Sequence, residues 1–249
     1  MTAVHHQVDG PVGAPAILLS NSLGTTLAMW DAQVPALAER CRVIRYDTRG
    51  HGRSSVPPGP YHIDDLADDA LGLLDHLGIE RVHFAGLSLG GMTGLRLAAR
   101  DPDRLERLTV LCTSAHLPPA SYWTDRAALV REHGTAAVAH AVLDRWFTPA
   151  YRDRAAARQM LESIPAEGYA GCCEAVATMN LTADLPKITA PVLAIAGAAD
   201  PVTPPDHLAR IATSVPQGRL LVIDGAAHLA NVEQPAAVTG AILEPAWTR

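Results

Sequence analysis

The stretch FAGLSLGGMTG, Phe84 to Gly94, places one serine, Ser88, among four glycines. Its centre fits the pattern G-x-S-x-G. It follows an apolar run at Val82–Ala85 that is typical of a buried strand, and it precedes a segment over 91–100 that is typical of a helix. Such a sharp strand–turn–helix junction exposes a serine hydroxyl at the carboxyl edge of a sheet, because flanking glycines let strand and helix approach closely. The stretch therefore predicts a nucleophilic serine. The alternative is that Ser88 has only a structural role, as a small residue in a tight turn.

Glycine-rich turns can also bind phosphate, but the residue types around this turn do not fit that role. The chain has no G-x-x-x-x-G-K-[ST] sequence and no lysine near the turn. A dinucleotide-binding turn would need an acidic residue after the next strand, which instead ends in Cys112-Thr113-Ser114. A nucleophile remains the favoured interpretation of Ser88.

Short apolar runs alternate with longer amphipathic segments along most of the chain. In the segment Ile63–Leu77 the apolar side chains share one helical face, aspartates occupy its start, and Gly78 ends it. This alternation of strands and helices predicts an α/β fold with a mostly parallel, doubly wound sheet. The predicted strands are Ala16–Leu19, Arg42–Tyr46, Val82–Ala85, Leu108–Leu111, Val192–Ala196 and Arg219–Ile223.

The alternation stops between residues 116 and 187, where no run is typical of a strand. Prolines divide this stretch into segments that predict helices. These predicted helices are Asp125–Arg145, Tyr151–Ser163 and Glu167–Met179. We therefore expect one core domain formed by residues 1–115 and 188–249, with a helical cap at 116–187 inserted into it.

A serine hydroxyl needs a base, and the base needs a residue that orients it. In the predicted fold these partners follow the nucleophile in the order acid, then histidine. Asp200 lies just after the predicted strand Val192–Ala196, and His228 lies just after Arg219–Ile223. Either residue alone could be an ordinary turn residue. In this order, and each after a strand, they predict a triad of Ser88, Asp200 and His228.

An oxyanion intermediate needs two hydrogen-bond donors. The residue after the nucleophile supplies one, so the backbone N–H of Leu89 is the first predicted donor. The second comes from the loop after an early strand, here LLSNSLGTT at 18–26, which makes the N–H of Leu23 the second predicted donor. His51 follows another strand, in YDTRGHGRSS, and we interpret it as a structural residue near the rim of the site.

The bulk composition argues against several classes of partner. With 48% hydrophobic residues and a net charge of −6, the chain can bury a core but has no basic excess for nucleic acid or an anionic membrane. Its first ten residues lack the charged and apolar regions of a signal peptide, and no apolar run approaches the roughly 20 residues of a membrane span. We expect a cytoplasmic protein with reduced cysteines, and no pattern predicts a metal site.

With these motifs in hand, the chain resembles the α/β-hydrolases, and among them the 3-oxoadipate enol-lactonase family. The serine, aspartate and histidine motifs are common to the superfamily. The narrower likeness lies in SNSLGTTLAMWD and PAEGYAGCCEA, and the resemblance extends over essentially the whole chain. It implies hydrolysis of the ester bond of 3-oxoadipate enol-lactone to 3-oxoadipate, a step of protocatechuate and catechol catabolism. The triad would be Ser88, Asp200 and His228, and no cofactor is implied.

The implied substrate is a small anionic lactone, so a cationic group or a cluster of donors should meet its carboxylate. Candidate cations in the cap are Arg126, Arg131 and Arg145. Candidate apolar walls are Trp30, Trp123 and Trp146. The sequence predicts no oligomeric state. Some members of the family are fused to a C-terminal carboxymuconolactone decarboxylase domain, and the sequence does not distinguish a stand-alone chain from one half of such a fusion.

Other functions remain open at the level of sequence. A general carboxylesterase or a cofactor-free perhydrolase would use the same triad. A ligand receptor could keep the same pocket without catalysis. A haloalkane dehalogenase is disfavoured, because that enzyme would carry aspartate at position 88 instead of serine.

Overall fold

The structure is a computed structural model that describes residues 4–244. Within them, seven strands form one sheet in the order β1-β3-β2-β4-β5-β6-β7, with β1 antiparallel to β3 and the other neighbours parallel. The strands are β1 His6–Asp9, β2 Ala16–Ser20, β3 Arg42–Tyr46, β4 Val82–Leu87, β5 Leu105–Leu111, β6 Val192–Gly197 and β7 Gly218–Ile223. The predicted α/β fold class is confirmed.

The helices of the described chain divide between the core and the segment inserted in it. Those of the core are α1 Val34–Ala38, α2 Ile63–His76, α3 Leu89–Arg100, α8 Pro205–Ser214, α9 Ala230–Glu233 and α10 Pro235–Leu243. Those between β5 and β6 are α4 Ala120–His133, α5 Ala136–Trp146, α6 Ala155–Glu162 and α7 Ala166–Thr178. None of the helices that the structure describes combines the length and apolar character needed to cross a membrane.

Two details of the predicted elements need correction. Strand β1 was not predicted, because its sequence HQVD is polar and partly exposed at the edge of the sheet, where burial imposes no apolar pattern. The single helix predicted over Asp125–Arg145 is two helices. Gly134 ends α4 with a φ of 75°, a conformation that glycine adopts without steric cost.

Helices α4 to α7 lie within the segment 116–187, here called the cap. The two ends of the cap are adjacent in space: His116 and Asn180 form an isolated antiparallel bridge, and the Leu181 N–H donates to the Ala115 carbonyl at 2.8 Å. The chain therefore leaves and re-enters the core at nearly one place. Residues 1–3 and 245–249 of the predicted core ranges lie outside the described residues.

The cap contacts the core closely through helix α7. A Cβ atom on Gly168 would lie 1.9 Å from the carbonyl oxygen of Gly50, so only glycine permits this approach of the two backbones. Cys172 and Cys173 are fully buried in the same helix, where their small side chains form part of the core. The cap is thereby fixed over the carboxyl edge of the sheet.

The parallel strands place several loops at that same edge, because the carboxyl ends of parallel strands point in one direction. Ser88 follows β4, whose residues are all buried. Leu23 lies just beyond β2, Asp200 just beyond β6, and His228 just beyond β7. Segments that are far apart in the sequence are therefore brought together under the cap.

Candidate active site

Ser88 lies on a strained turn between β4 and α3. Its φ of 55° and ψ of −112° lie outside the conformations that non-glycine residues favour. Tight packing maintains this geometry: a Cβ on Gly86 would lie 2.2 Å from the Gly90 carbonyl, and one on Gly90 would lie 2.3 Å from the Ser20 carbonyl. Glycines at both positions let α3 begin immediately after the serine, so the side chain of Ser88 stands free of the strand.

His228 and Asp200 are both buried, and they are directly hydrogen-bonded. Nδ1 of His228 lies 2.8 Å from Oδ2 of Asp200. A carboxylate can only accept, so Nδ1 carries the proton and Nε2 is left with a free lone pair. This is the tautomer that a general base needs.

Further donors hold the Asp200 carboxylate. Its Oδ1 accepts from the Val202 N–H at 2.8 Å and from the Thr203 N–H at 3.1 Å. Its Oδ2 also accepts from the Thr203 hydroxyl at 2.7 Å. Asp200 is thus a turn-forming aspartate as well as the partner of a histidine, and the two sequence interpretations are compatible.

These contacts determine the charge of Asp200. Burial alone would raise the pKa of its carboxyl group. The hydrogen bond from His228, its positive charge when the ring is protonated, and the donors of the 202–203 turn together outweigh burial and lower the pKa to about 2. Asp200 is therefore ionised throughout the neutral pH range and can stabilise a protonated imidazole.

Ser88 and His228 line one cavity between the core and the cap. From the core, the cavity is lined by Ser22, Leu23, Ser88, Val202 and His228. No hydrogen bond joins the Ser88 hydroxyl to His228 within the described chain, and such contacts often shorten only when substrate binds. The nucleophile and base predicted from the sequence therefore face one shared space.

Of the two predicted oxyanion donors, Leu23 lines this cavity and Leu89 directly follows Ser88, which also lines it. Within residues 4–244 the N–H groups of Leu23 and Leu89 donate to no protein acceptor. Both groups are therefore available to donate to a bound ligand. The Gly90 N–H donates to the Asn21 carbonyl at 2.9 Å and so ties the loop of Leu23 to the start of α3. The arrangement can supply two backbone donors to an oxygen bound near Ser88.

The buried side chain of His51 supports the loop that contains Leu23. Burial lowers the pKa of its imidazole to about 4, so the ring is neutral. Its Nε2 accepts from the Gly24 N–H at 3.1 Å, and its Nδ1 lies 3.2 Å from the Arg49 carbonyl. The structural interpretation of His51 agrees with these contacts.

The cap closes the cavity with aromatic, aliphatic and basic side chains of α4 and α5. These are Tyr122, Trp123, Arg126, Val142, Arg145 and Trp146. Four of the six candidates for substrate contact are thus brought to the cavity: Trp123, Arg126, Arg145 and Trp146. The prediction for Trp30 is corrected: its side chain is fully buried in the core cluster and is not part of the cavity lining. The short helical turn Leu27–Trp30 directs that indole inward.

Arg126 and Arg145 line the cavity, and within the described chain neither forms an ion pair with a carboxylate. Arg145 donates to the hydroxyl of Tyr122, and Nη1 of Arg126 lies 3.4 Å from that same oxygen. Arg126 also donates to the hydroxyl of Tyr169, while its buried Nε has no hydrogen-bond partner. Phenol oxygens do not neutralise a guanidinium charge, so this pair of like charges is complementary to an anion.

Arg131 differs from these two arginines. It forms ion pairs with Glu167 at 2.8 Å and with Glu174 at 2.6 Å, and it does not line the cavity. Its charge is already compensated on the surface of the cap. The sequence alone could not separate the three arginines, because their acidic neighbours come from another helix.

The described residues 4–244 contain no cluster of histidine, cysteine, aspartate or glutamate side chains that could hold a metal ion. Thr203 is a site residue that sequence reasoning missed. Only its position in the sequence could have indicated this role. A hydroxyl three residues after an aspartate can donate a hydrogen bond to that carboxylate. Tyr122 was missed as well, although it lies one helical turn before Arg126.

Comparisons with known proteins agree with this geometry. The model of the α/β-hydrolase fold family matches residues 15–133. The protein named 3-oxoadipate enol-lactonase 2 of Acinetobacter baylyi is 42% identical, with 96% of this chain and 91% of that protein aligned. The enol-lactonase structure from Burkholderia xenovorans has a TM-score of 0.94 at 42% identity, covering 97% of this chain and 95% of that chain. A hydrolase structure from Pseudomonas aeruginosa has a TM-score of 0.94 at 47% identity, with coverage of 97% and 93%.

The chain therefore belongs to the α/β-hydrolase family, and it is an ester-hydrolysing enzyme. Within that family its similarity over nearly the whole length is to 3-oxoadipate enol-lactonases, at 40% and 42% identity to the two from Acinetobacter baylyi. The family resemblance predicted from the sequence is confirmed.

Replacing Thr203 with valine tests how the Asp200 carboxylate is held. Thr203→Val removes the hydroxyl bond to Oδ2 and keeps the backbone donors, so we expect kcat for p-nitrophenyl acetate to fall about tenfold, the value of one such bond. We expect KM to change little. Thr203→Ser retains the hydroxyl and should stay close to the unmodified enzyme. Equal losses in the two variants would show that the hydroxyl does not orient the carboxylate.

Proposed function

We propose that this enzyme hydrolyses the ester bond of 3-oxoadipate enol-lactone to give 3-oxoadipate, in the catabolism of protocatechuate and catechol. The observation that carries the proposal is the pair of uncompensated arginines facing the cavity that also contains Ser88 and His228. A simple neutral ester would give these two charges nothing to bind. The names of the enol-lactonase relatives support the same substrate.

In the proposed mechanism Ser88 attacks the lactone carbonyl while Nε2 of His228 takes the hydroxyl proton. Asp200 stabilises the imidazolium that forms, through the 2.8 Å hydrogen bond to Nδ1. The N–H groups of Leu23 and Leu89 donate hydrogen bonds to the negatively charged oxygen of the tetrahedral intermediate. Each role uses a group that already faces the cavity or supports one that does.

Collapse of the intermediate breaks the ring C–O bond and releases an enolate. The enolate is a less basic leaving group than an alkoxide, and it stays tethered because the ring held both ends of the ester. It takes the proton from His228 and becomes the ketone. Water, activated by the now neutral His228, then attacks the acyl-enzyme and releases the product, which carries two carboxylates.

Arg126 and Arg145 are the proposed anchor for the substrate's free carboxylate. Both reach the Tyr122 hydroxyl, so a carboxylate bound beside that oxygen could contact both guanidinium groups. Trp123 and Trp146 supply apolar surface on the same side of the cavity. Under this arrangement the cap recognises the acid, and the core performs the ester chemistry.

The comparison of substrates tests this proposal directly. We expect kcat/KM for 3-oxoadipate enol-lactone to exceed that for p-nitrophenyl acetate by several orders of magnitude, because only the lactone uses the arginine anchor. Ser88→Ala should remove both activities. A faster turnover of the simple ester would contradict the proposal and favour a general carboxylesterase. Unchanged hydrolysis by Ser88→Ala would contradict every mechanism based on this serine.

The arginine anchor makes a separate prediction. Arg126→Gln and Arg145→Gln should each lower kcat/KM for the anionic lactone about 10- to 100-fold, the cost of losing a hydrogen bond to a charged group. Hydrolysis of neutral p-nitrophenyl acetate should change little. Arg131→Gln is the matched control, because that arginine is paired with Glu167 and Glu174 outside the cavity. Equal losses of kcat/KM on the two substrates, or a comparable loss in the control variant, would show that these arginines do not anchor the substrate carboxylate.

A further inference from the structure

The residues on both sides of His228 are connected to one short segment of the cap, Leu229 directly and Ala227 through Glu233. Leu229 donates its N–H to the carbonyl of Trp146 at 2.9 Å. Ala227 donates its N–H to Oε2 of Glu233 at 2.6 Å. These two bonds flank the histidine, so the position of the imidazole depends on what holds the acceptors.

Glu233 connects the histidine loop to the same cap segment. Its other oxygen, Oε1, accepts from the Thr148 N–H at 2.9 Å and from the Thr148 hydroxyl at 2.7 Å. Thr148 lies two residues after Trp146, the last residue of α5. One carboxylate therefore joins the loop that carries the base to the point where the chain leaves α5.

The segment from Trp146 to Thr148 also forms part of the cap's own structure. The side chain of Trp146 lines the cavity over Ser88. Arg154 donates to the Thr148 carbonyl at 2.9 Å and forms an ion pair with Asp144 at 3.0 Å. The segment is thus fixed to the helices before and after it, and any displacement of the cap must move it.

We propose that Glu233 is a positioning residue that couples the placement of the cap to the placement of His228. When the cap is seated, both carboxylate oxygens are engaged and the imidazole is held against Asp200. When the cap segment moves, the bond from Leu229 to Trp146 is strained and the Thr148 bonds to Glu233 loosen, so both supports of the histidine loop weaken. The inference rests on the proposed triad, but it does not depend on the identity of the lactone.

Glu233→Gln is the most informative substitution. An amide has one acceptor oxygen, and its NH₂ group cannot accept from a backbone N–H. Either orientation of the side chain therefore breaks the link on one side, towards Ala227 or towards Thr148. The volume of the side chain is conserved, so packing changes little.

The test measures the reactivity of Ser88 with phenylmethanesulfonyl fluoride, which needs the serine and its base but no lactone. We expect Glu233→Gln to slow the second-order inactivation by about tenfold, the effect of one lost hydrogen bond. Thr148→Val removes only the hydroxyl contact and should give a smaller loss in the same direction. Glu162→Gln, whose glutamate pairs with Arg158 on the surface of the cap, is the matched control and should leave the rate unchanged.

A double-mutant cycle separates positioning from a general effect on the fold. If Glu233 acts through the histidine, Glu233→Gln should slow inactivation little further once Asp200→Asn has already disturbed the imidazole. Additive losses in the double variant, or a lowered melting temperature with an unchanged inactivation rate, would overturn the inference. The probe is not a lactone, so these rate ratios do not depend on whether the enol-lactone proposal is correct. If the unmodified enzyme were not labelled at Ser88, both the triad and this coupling would be overturned.

Discussion

The site depends on keeping one buried carboxylate ionised. An uncompensated charge in the interior is costly, yet the described contacts give Asp200 four donated hydrogen bonds, two from backbone N–H groups, one from a hydroxyl and one from His228. Together these lower its pKa to about 2 despite burial. An ionised Asp200 fixes the tautomer of His228, and that tautomer leaves Nε2 able to accept a proton from Ser88. The proposed chemistry follows from this one interaction.

The core and the cap contribute different groups to the proposed site. In the proposed mechanism, core loops at the carboxyl edge of the sheet supply the serine, its base and the two N–H donors, which together would define the kind of bond attacked. The cap supplies Arg126 and Arg145, which form no ion pair in the described chain, and we propose that they select an anionic substrate. The turn around Ser88 is typical of enzymes that hydrolyse esters, but it does not determine which ester is the substrate. We propose that residues of the cap determine the substrate.

Much of this arrangement could be predicted from the sequence, because it depends on local patterns. Buried parallel strands are continuous apolar runs, and residues that follow them meet at one edge, so Ser88, Asp200 and His228 could be placed together from strand ends alone. Strand β1 escaped prediction because its four residues, HQVD, contain no apolar run. Gly134 showed that one glycine outweighs a continuous helical pattern when it adopts a positive φ.

The features that could not be predicted are contacts between distant segments. Trp30 was expected at the site and instead fills the core, because the direction of a side chain on a short helical turn is set by packing. The contact of Arg126 with Tyr169 and the contact of Thr148 with Glu233 each join residues that no periodicity relates. The compensation of Arg131 by Glu167 and Glu174 is of the same kind.

The central claim is that Ser88 forms an acyl-enzyme with the lactone. Rapid quenching of a reaction with 3-oxoadipate enol-lactone, followed by mass spectrometry of the intact protein and its peptides, tests it most directly. Because the leaving group stays tethered, we expect a mass increase equal to one entire substrate molecule, located on the peptide that contains Ser88 and absent from Ser88→Ala. Turnover without any adduct on Ser88, or an adduct on another residue, would contradict the account.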